Sequence, residues 1–517
     1  MHTLRFKLET TAYDEQVIEK RFHALSHVHN VMVKHAKKLL KRLKFHAEYQ
    51  ELRKQYAALL AERCGAALNK KQDLSPAEEK QKKQLSAAME GIRSGMGLSN
   101  AGFQAYLKVC GRQFSKCLSS QQVQKEASRV WAGVQKVLFS DGKEIHFKKF
   151  MDFDTISGKT NTNGVKFDKD TLSISWLGLT IPCRQPKKPA DTAYTAESLD
   201  HKVSYCEIVR KMFPDGWHYY VTVYLDGDAP VKHKCSQNAA KNVMGIDPGV
   251  STIAGVSGTT AVLEELAPGC KRYAMEIERL QEKMDRSRRA SNPDRYNEDG
   301  TVKKGIKKKW KCSNTYLGDR RKLKSLYRQK AAYTKQSHER LANRLLEDSL
   351  HFIVEGMSYK GLQRRAKKTE RQEKASDIRQ KDGTTKKVRK YKRKKRFGKS
   401  LNNRAPAMFL SILERKALLR GGSFAKVDTK AYRASQYDHT TDSYVKIPLS
   451  QRDKQIGDHE VQRDLYSAFL IRNSNDTYDH PDRVRCIDSF EIFLDMQDRL
   501  LADMKRRQVS MKQCFGF

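Results

Sequence analysis

The stretch Gly245-Ile246-Asp247-Pro248-Gly249-Val250 decides how the C-terminal half of this chain folds. It follows Val243 and Met244, so an apolar run of strand length ends at an acidic residue and a proline–glycine turn. Such a run, bounded by turn residues, is typical of a buried β-strand. Taken alone, the motif is compatible both with an ordinary β-turn after a strand and with a functional carboxylate at a strand end.

Two later stretches repeat this placement of a single acidic residue. Phe352-Ile353-Val354-Glu355-Gly356-Met357 ends a second apolar run, and Glu355 alone is compatible with a surface carboxylate. Arg463-Asp464-Leu465-Tyr466-Ser467-Ala468 has a helical apolar pattern that turns Asp464 inward. Because a buried carboxylate without a partner is costly, Asp464 favours a functional role.

The three acids together predict a metal centre. Carboxylates from two strand ends and one helix can hold two Mg²⁺ or Mn²⁺ ions about 3.5–4 Å apart, which is the arrangement for in-line phosphodiester cleavage. We therefore assign Asp247, Glu355 and Asp464 as catalytic residues and metal ligands.

The charge of the chain indicates a polyanionic partner. Its 517 residues include 101 Lys and Arg against 60 Asp and Glu, a formal net charge of +41. Phosphate neutralisation favours a nucleic acid, although ribosomal and membrane-surface proteins can be as basic. No apolar run of about 20 residues predicts a membrane span, and the N-terminus lacks a signal-peptide core. The ten cysteines form no Cys-x-x-Cys pair, so we expect no structural zinc.

Hydrophobic periodicity predicts a multidomain α+β fold. The predicted regions are a β-domain at 1–12 plus 137–240, a helical block at 13–136, an α/β domain at 241–473, and a tail at 474–517 with an amphipathic helix. Strands that alternate with helices from about residue 243 indicate an α/β layer of the RNase H kind. Within it we predict a basic helical hairpin at 270–349.

Two segments are candidates for nucleic-acid contact. In the helix beginning near Ser119, glutamines can pair with adenine edges and basic residues can hold phosphates; the candidates are Gln121, Gln122, Gln124, Lys125 and Arg129. The alternative is the surface face of a packed helix. In the basic run from Lys386 to Lys399, the candidates are Lys392, Arg393, Lys394, Lys395 and Arg396, and the alternative is a solvated loop.

With these motifs in place, the chain resembles the TnpB family of transposon-encoded RNA-guided nucleases and the related compact type V CRISPR effectors. The stretches around Asp247, Glu355 and Asp464 look like the three RuvC motifs of that family. The long basic helices before Glu355 and the strand pattern at 219–225 extend the resemblance over nearly the whole chain.

The resemblance implies a helical recognition lobe inserted in a wedge-like β-barrel, followed by an RNase H-like RuvC nuclease domain. It implies a bound guide RNA, encoded by a transposon or a CRISPR array, and a double-stranded DNA target beside a short motif that the protein reads. One RuvC site with two metal ions would cut both strands. We expect a monomer without a membrane partner, in the cytoplasm of a prokaryote and at the nucleoid when on target.

The sequence departs from the family where a four-Cys zinc ribbon is usual, in the loop at 434–457, which contains no cysteine. We expect packing and polar contacts from Tyr437, Tyr444 and Arg452 to hold this loop instead. In the third motif, Tyr466 and Leu470 stand where asparagines are usual. Two other functions remain open: a nuclease-inactive RNA-guided repressor, and a general nucleic-acid-binding protein that performs no catalysis.

Overall fold

The computed structural model describes residues 1–61, 75–140, 142–231, 238–297, 301–303, 305, 309–363, 376–379, 385–388, 397–448 and 451–509. The chain divides into two compact units, residues 1–232 and 233–517. In the described part of the chain, every cysteine is a free thiol. None of the helices described is both long enough and apolar enough to cross a membrane.

The first unit combines a helical block with strands that flank it in sequence. After strand β1 (His2–Lys7), five helices follow: α1 (Ala12–Lys44), α2 (Ala47–Ala61), α3 (Pro76–Gly95), α4 (Asn100–Arg112) and α5 (Ser120–Phe139). Capping boxes start α1 at Thr11, α3 at Ser75 and α5 at Ser119, each satisfying backbone N–H groups that lack helical partners. Five helices thus lie between Ala12 and Phe139, and their forming a separate recognition lobe at 13–136 stays a prediction.

The strands of the first unit form two antiparallel sheets. The remaining elements are β2 (Thr155–Ser157), β3 (Val165–Asp168), β4 (Ser173–Trp176), β5 (Leu179–Pro182), α6 (Pro189–Leu199), β6 (Val203–Phe213) and β7 (Gly216–Leu225). One sheet has the order β1-β7-β6-β2 and the other the order β3-β4-β5. The predicted participation of the N-terminal strand is confirmed, since His2 pairs with Leu225 and Lys7 with Tyr220. Closure into a barrel is not shown by the strands described.

A five-stranded mixed sheet forms the centre of the second unit. Its strands are β8 (Val243–Pro248), β9 (Thr252–Val256), β10 (Ala261–Glu265), β11 (His351–Glu355) and β14 (Ser423–Val427), in the order β10-β9-β8-β11-β14. The first three strands are antiparallel, whereas β8, β11 and β14 run parallel. Parallel neighbours place their carboxyl ends at one edge, which positions the acids described below.

Helices cover both faces of this sheet. Between the strands lie α7 (Cys270–Ala290), α8 (Asn314–Asp348), α9 (Tyr359–Leu362), the hairpin β12 (Ser376–Arg379) and β13 (Thr385–Val388), α10 (Gly398–Arg404) and α11 (Pro406–Leu419). Met244 and Ile246 pack with α8 and α11 on one face, and Ala254 and Val256 pack with the last two helices on the other. The helices α7 and α8 pack together, as expected for the hairpin at 270–349.

After the sheet, short paired strands lead into the last two helices. The elements are α12 (Thr429–Tyr432), β15 (Tyr437–Asp438), β16 (Ser443–Tyr444), β17 (Asp453–Ile456), β18 (His459–Gln462), α13 (Arg463–Arg472) and α14 (Arg483–Arg506). Asp458 lies in the turn of the β17–β18 hairpin. The helix α13 begins only after this hairpin, where the side chain of Gln462 accepts the backbone N–H of Leu465 as its cap.

Candidate active site

Two of the predicted catalytic acids lie at the carboxyl ends of neighbouring parallel strands. The register pairs Ile246 of β8 with Val354 of β11, so the next residue on each strand is acidic: Asp247 and Glu355. The two carboxyl groups are within hydrogen-bonding reach of each other. Since the register of the sheet fixes this neighbourhood, the pair is a property of the fold rather than of a flexible loop.

The third acid reaches the same edge because α13 packs directly on β8. A Cβ atom built on Gly245 would stand 2.2 Å from the carbonyl oxygen of Ala468, so helix and strand touch backbone to backbone. Asp247 lies two residues after Gly245 on the strand, and Asp464 lies about one helical turn before Ala468. Each step spans about 6 Å, so Asp464 arrives beside Asp247 when helix and strand run in opposite directions.

Two arginines engage the carboxylate of Asp464. Arg463 donates from Nη2 to Oδ1 at 3.0 Å, and Arg452 donates from Nη1 to Oδ2 at 3.4 Å. The cap of this helix is also supported from α14, because Gln497 accepts the backbone N–H of Gln462 at 2.8 Å. Arg452, which the sequence suggested as a support of the loop at 434–457, thus contacts a candidate catalytic acid directly.

Burial and like charge dominate the electrostatics of this cluster. Desolvation first, then the negative charges of Glu355 and Asp464, raise the pKa of Asp247 well above its usual value. Desolvation also raises the pKa of Glu355, while hydrogen bonds from Asp247 and Thr429 oppose the rise. Part of the Asp247 surface still reaches solvent, but dense protein packing surrounds the carboxyl group. Crowded carboxylates of this kind are typical of functional sites.

Tyr359 is a residue of this site that the sequence prediction missed. Its hydroxyl group is buried without a hydrogen-bond partner. Desolvation and the charges of Asp247 and Glu355 raise its pKa, so Tyr359 lies near the two acids. Tyr359 lies four residues after Glu355 in the second motif, and that proximity was the only signal available in the sequence.

The residues present suit a hard divalent cation such as Mg²⁺. All three side chains offer carboxylate oxygens, the ligands that Mg²⁺ and Mn²⁺ prefer. A bound cation and its water would offset the crowding of these carboxylates and give the unpaired Tyr359 hydroxyl a partner. Within the described residues, no group of three or more His, Cys, Asp or Glu side chains is arranged to hold an ion as it stands. Asp464 points to its arginines, so metal binding requires its oxygens to exchange partners.

Buried aromatic side chains and a buried lysine stabilise the loop at 434–457, for which the sequence predicts no zinc ribbon. Tyr437 is fully buried, donates to Asp442 at 2.7 Å, and contacts the ring of Tyr444. The buried Lys454 donates to the carbonyl of Tyr437 at 2.6 Å, and desolvation lowers its pKa to about 8. Packing by Tyr437 and Tyr444 agrees with the expectation from sequence. That the protein holds no stoichiometric zinc stays a prediction, which elemental analysis of the purified protein checks.

Tyr466, one of the departures in the third motif, is fully buried in this core. Its hydroxyl accepts the backbone N–H of His439 at 3.2 Å and lies 2.8 Å from Nδ1 of the same residue. Its ring packs with Phe469 and Phe493, and Leu470 is fully buried in the same apolar cluster. An aromatic side chain suits this position because α14 covers this face of α13.

We expect Tyr466→Phe to lower the free energy of unfolding by roughly 1–3 kcal/mol, because the buried N–H of His439 loses its acceptor. Urea denaturation measures the change. Tyr478→Phe is the matched control, since Tyr478 is exposed and should change stability by less than about 0.5 kcal/mol. Equal effects of the two substitutions would show that the buried hydroxyl contributes nothing.

The candidate nucleic-acid residues of α5 differ in how far they are buried. Gln122 is buried, and its amide oxygen accepts the backbone N–H of Ser119 at 2.9 Å and lies 3.4 Å from the indole nitrogen of Trp176. This burial contradicts a base-reading role for Gln122, which serves as a cap and a packing residue. Gln121 donates to Thr160 at 3.0 Å, while the exposed edge of Gln124 accepts from Lys159 at 3.2 Å.

The basic candidates of α5 are partly buried. Lys125 lies 5.1 Å from the ring centre of Tyr205, and Arg129 donates to Glu126 at 2.9 Å and to Ser157 at 2.6 Å. Nucleic-acid contact by these two residues, and by Gln121 and Gln124, stays a prediction. The candidates of the second segment, Lys392, Arg393, Lys394, Lys395 and Arg396, lie outside the described residues.

No protein-family model matches this chain, and no curated protein matches it. Among solved structures, it is similar to a Cas12f1–sgRNA–target DNA complex at 10% identity and a TM-score of 0.44, covering 91% of this chain and 98% of that one. A CRISPR-Cas12f ternary complex matches at 11% identity and a TM-score of 0.23, covering 92% and 99%. A Cas12i1 R-loop complex matches at 9% identity and a TM-score of 0.25, covering 83% and 56%. At these identities and scores, a functional assignment has to rest on the residues of the chain itself.

Proposed function

We propose that the chain is an RNA-guided, metal-dependent DNA endonuclease with a single RuvC-type site. The observation that carries the catalytic part is the convergence of Asp247, Glu355 and Asp464 at one edge of a mixed α/β sheet. Guidance by RNA rests on the resemblance of the three motifs to the TnpB family and on the net charge of +41.

In this proposal, each element of the site has its own task. Asp247 and Glu355 hold the metal from rigid strand ends, and Asp464 completes the ligand set from the first turn of α13. Bound divalent ions would activate the attacking water and stabilise the leaving 3′ oxygen. Arg463 and Arg452 would hold the carboxylate of Asp464 by ion pairs until a metal ion took their place.

A nuclease-inactive RNA-guided repressor is the second candidate. It shares the charge and the domain plan but has no need of three crowded carboxylates, whose repulsion destabilises the fold in the absence of a cation. A general nucleic-acid-binding protein would have no need of them either. The presence of all three acids at one sheet edge therefore favours the nuclease.

The test begins with the RNA that co-purifies with the full chain. Sequencing this RNA identifies the guide segment, and a plasmid library carrying its complement beside randomised sequence then reports the adjacent motif. We expect linear plasmid in Mg²⁺ and none in EDTA. Guide-dependent plasmid binding without any cleavage in Mg²⁺ or Mn²⁺ would favour the repressor instead. Equal retention of unrelated plasmids would favour the general binding protein.

We also expect guide RNA to raise the melting temperature of the protein. The charge of +41 repels itself in the free chain, and an RNA polyanion relieves that repulsion. Differential scanning fluorimetry over a salt series measures the shift, which should shrink as salt rises because counterion release weakens. A melting temperature that RNA leaves unchanged at low salt would argue against an RNA-scaffolded particle.

A further inference from the structure

A mainly apolar cavity opens between α1, α5 and the segment at 142–148 in the first unit. Its volume is about 330 Å³, which lies within the range of roughly 300–1,000 Å³ typical of ligand pockets. The apolar lining consists of Val33, Val130, Gly133, Val137 and Ile145. Apart from Arg129, no residue that lines this cavity has been given a role above.

The walls of the cavity are fixed by hydrogen bonds at both ends of the 142–148 segment. At one end, the backbone N–H of Gly142 donates to the carbonyl of Lys136 at 3.0 Å. At the other, the side chain of Asn30 bonds both backbone groups of Lys148, at 2.9 and 3.0 Å. Between these anchors, Ile145 is buried. The cavity is therefore preformed, which lowers the entropic cost of binding a ligand.

A glycine in the interior of α5 makes room for the cavity. Gly133 lies among helical residues, where glycine is unfavourable relative to alanine. A Cβ atom placed on it would meet only Cγ2 of Ile145, at an ordinary 3.6 Å, so packing does not require glycine here. Without a side chain at this position, the backbone of α5 lets a ligand in the cavity approach closely.

The rim of the cavity is cationic. Lys136, Arg129 and Lys148 line it, and Arg129 is held in place by Glu126 and Ser157 at 2.9 and 2.6 Å. Its one acidic lining residue, Glu144, already lies 3.5 Å from the ammonium group of Lys37. The rim therefore presents net positive charge to an incoming ligand.

An exposed aromatic side chain stands next to this rim. Phe147 is 54% exposed, two residues after Ile145, and the ammonium group of Lys37 lies 5.3 Å from its ring centre. Aromatic rings beside cations are the combination that binds single-stranded nucleic acid, because each base offers a stacking face and each phosphate a charge.

We propose that this cavity binds one unpaired nucleotide, base first, with its phosphate held by Lys136, Arg129 and Lys148. Unstacked bases taken up by proteins are held between apolar and aromatic side chains, as the aliphatic lining allows. The inference deepens the proposed function, on whose nucleic-acid binding it rests. It does not depend on cleavage, and either an RNA or a DNA strand supplies the required chemistry.

The test fills the cavity without removing any charge. Gly133→Leu projects a side chain into it, and Gly91→Leu is the matched control, because Gly91 is an exposed glycine of α3 with open space around it. The probe is an oligouridine of about 12 nucleotides with one central 4-thiouridine, compared with its thymidine and 4-thiothymidine counterpart. After irradiation of the full-length protein, mass spectrometry locates the crosslinks, and filter binding measures total affinity.

In the parent and in Gly91→Leu, we expect crosslinks to the residues that line the cavity, with RNA, DNA or both. In Gly133→Leu these crosslinks should fall by about tenfold or more, while total affinity changes by less than about twofold, since the cationic rim is intact. If Gly133→Leu lowers the melting temperature, Val137→Phe fills the same cavity from the next turn.

Three results would overturn the proposal or its basis. Crosslinks that persist at the cavity after filling would show that the base does not enter it. A probe that binds the parent tightly but crosslinks only elsewhere would exclude this site and leave the proposed function untouched. A probe that binds nowhere would contradict nucleic-acid binding itself.

Discussion

We expect Asp247→Ala to abolish cleavage while guide and target binding stay within about twofold of the parent. The acid lies close enough to Glu355 and Asp464 for both to raise its pKa, so its loss would remove a central carboxylate from the proposed metal site. We expect the rate to fall by more than about 100-fold, since even supporting residues of metal sites carry effects of 10–100-fold. Single-turnover plasmid cleavage at saturating Mg²⁺ measures it.

A second substitution at Asp247 distinguishes loss of cleavage from loss of folding. Asp247→Asn keeps the shape of the side chain but removes a charge that is crowded by two like charges. We expect the metal-free protein to become more stable by roughly 1–3 kcal/mol, even though it no longer cleaves. The control is Asp458→Ala, an exposed acid in the β17–β18 turn, which should change neither property. Parent-like cleavage by Asp247→Ala would refute the site.

Gly245→Ala is expected to damage both stability and cleavage, although Gly245 carries no functional group. Its Cβ would stand 2.2 Å from the carbonyl oxygen of Ala468 and 2.2 Å from the backbone nitrogen of Arg472, so α13 has to move. Backbone atoms cannot rotate away as a side chain can, and we expect a loss near or above 3 kcal/mol. A shift of about 1 Å in Asp464 would slow cleavage by about 100-fold.

Gly255→Ala on the neighbouring strand β9 is the matched control for this substitution. The nearest atom to its Cβ is Sδ of Met244 at 3.3 Å, the end of a flexible side chain that can adjust. Urea denaturation and single-turnover cleavage of both variants measure the difference. If the two variants behave alike, direct contact between α13 and β8 does not position Asp464.

The two arginines that contact Asp464 lie where a metal ion would bind. Arg463 and Arg452 occupy the two oxygens of Asp464, so a metal ion bound there would have to replace their positive charges. Tyr359, with its buried hydroxyl unpaired, lies on the Asp247–Glu355 side of the same site.

The sequence by itself determined the acids and the elements that carry them. Asp247 and Glu355 each follow an apolar run of strand length. This local pattern predicts that each acid lies at the end of a buried strand. The helical pattern around Asp464 was equally readable. Alternation of period two identified β7 and its neighbours, because the backbone geometry of a strand is encoded within a few residues.

Only the tertiary structure decided which side chains meet. The register between β8 and β11 joins Asp247 to Glu355, and the backbone contact at Gly245 brings in Asp464. Tertiary packing also buries Gln122, places Arg452 in contact with Asp464, and leaves a cavity beside Gly133. Helical spacing places a residue on a face, but whether that face meets solvent or protein depends on segments distant in sequence. Burial and pairing are sums over such contacts, so no local pattern contains them.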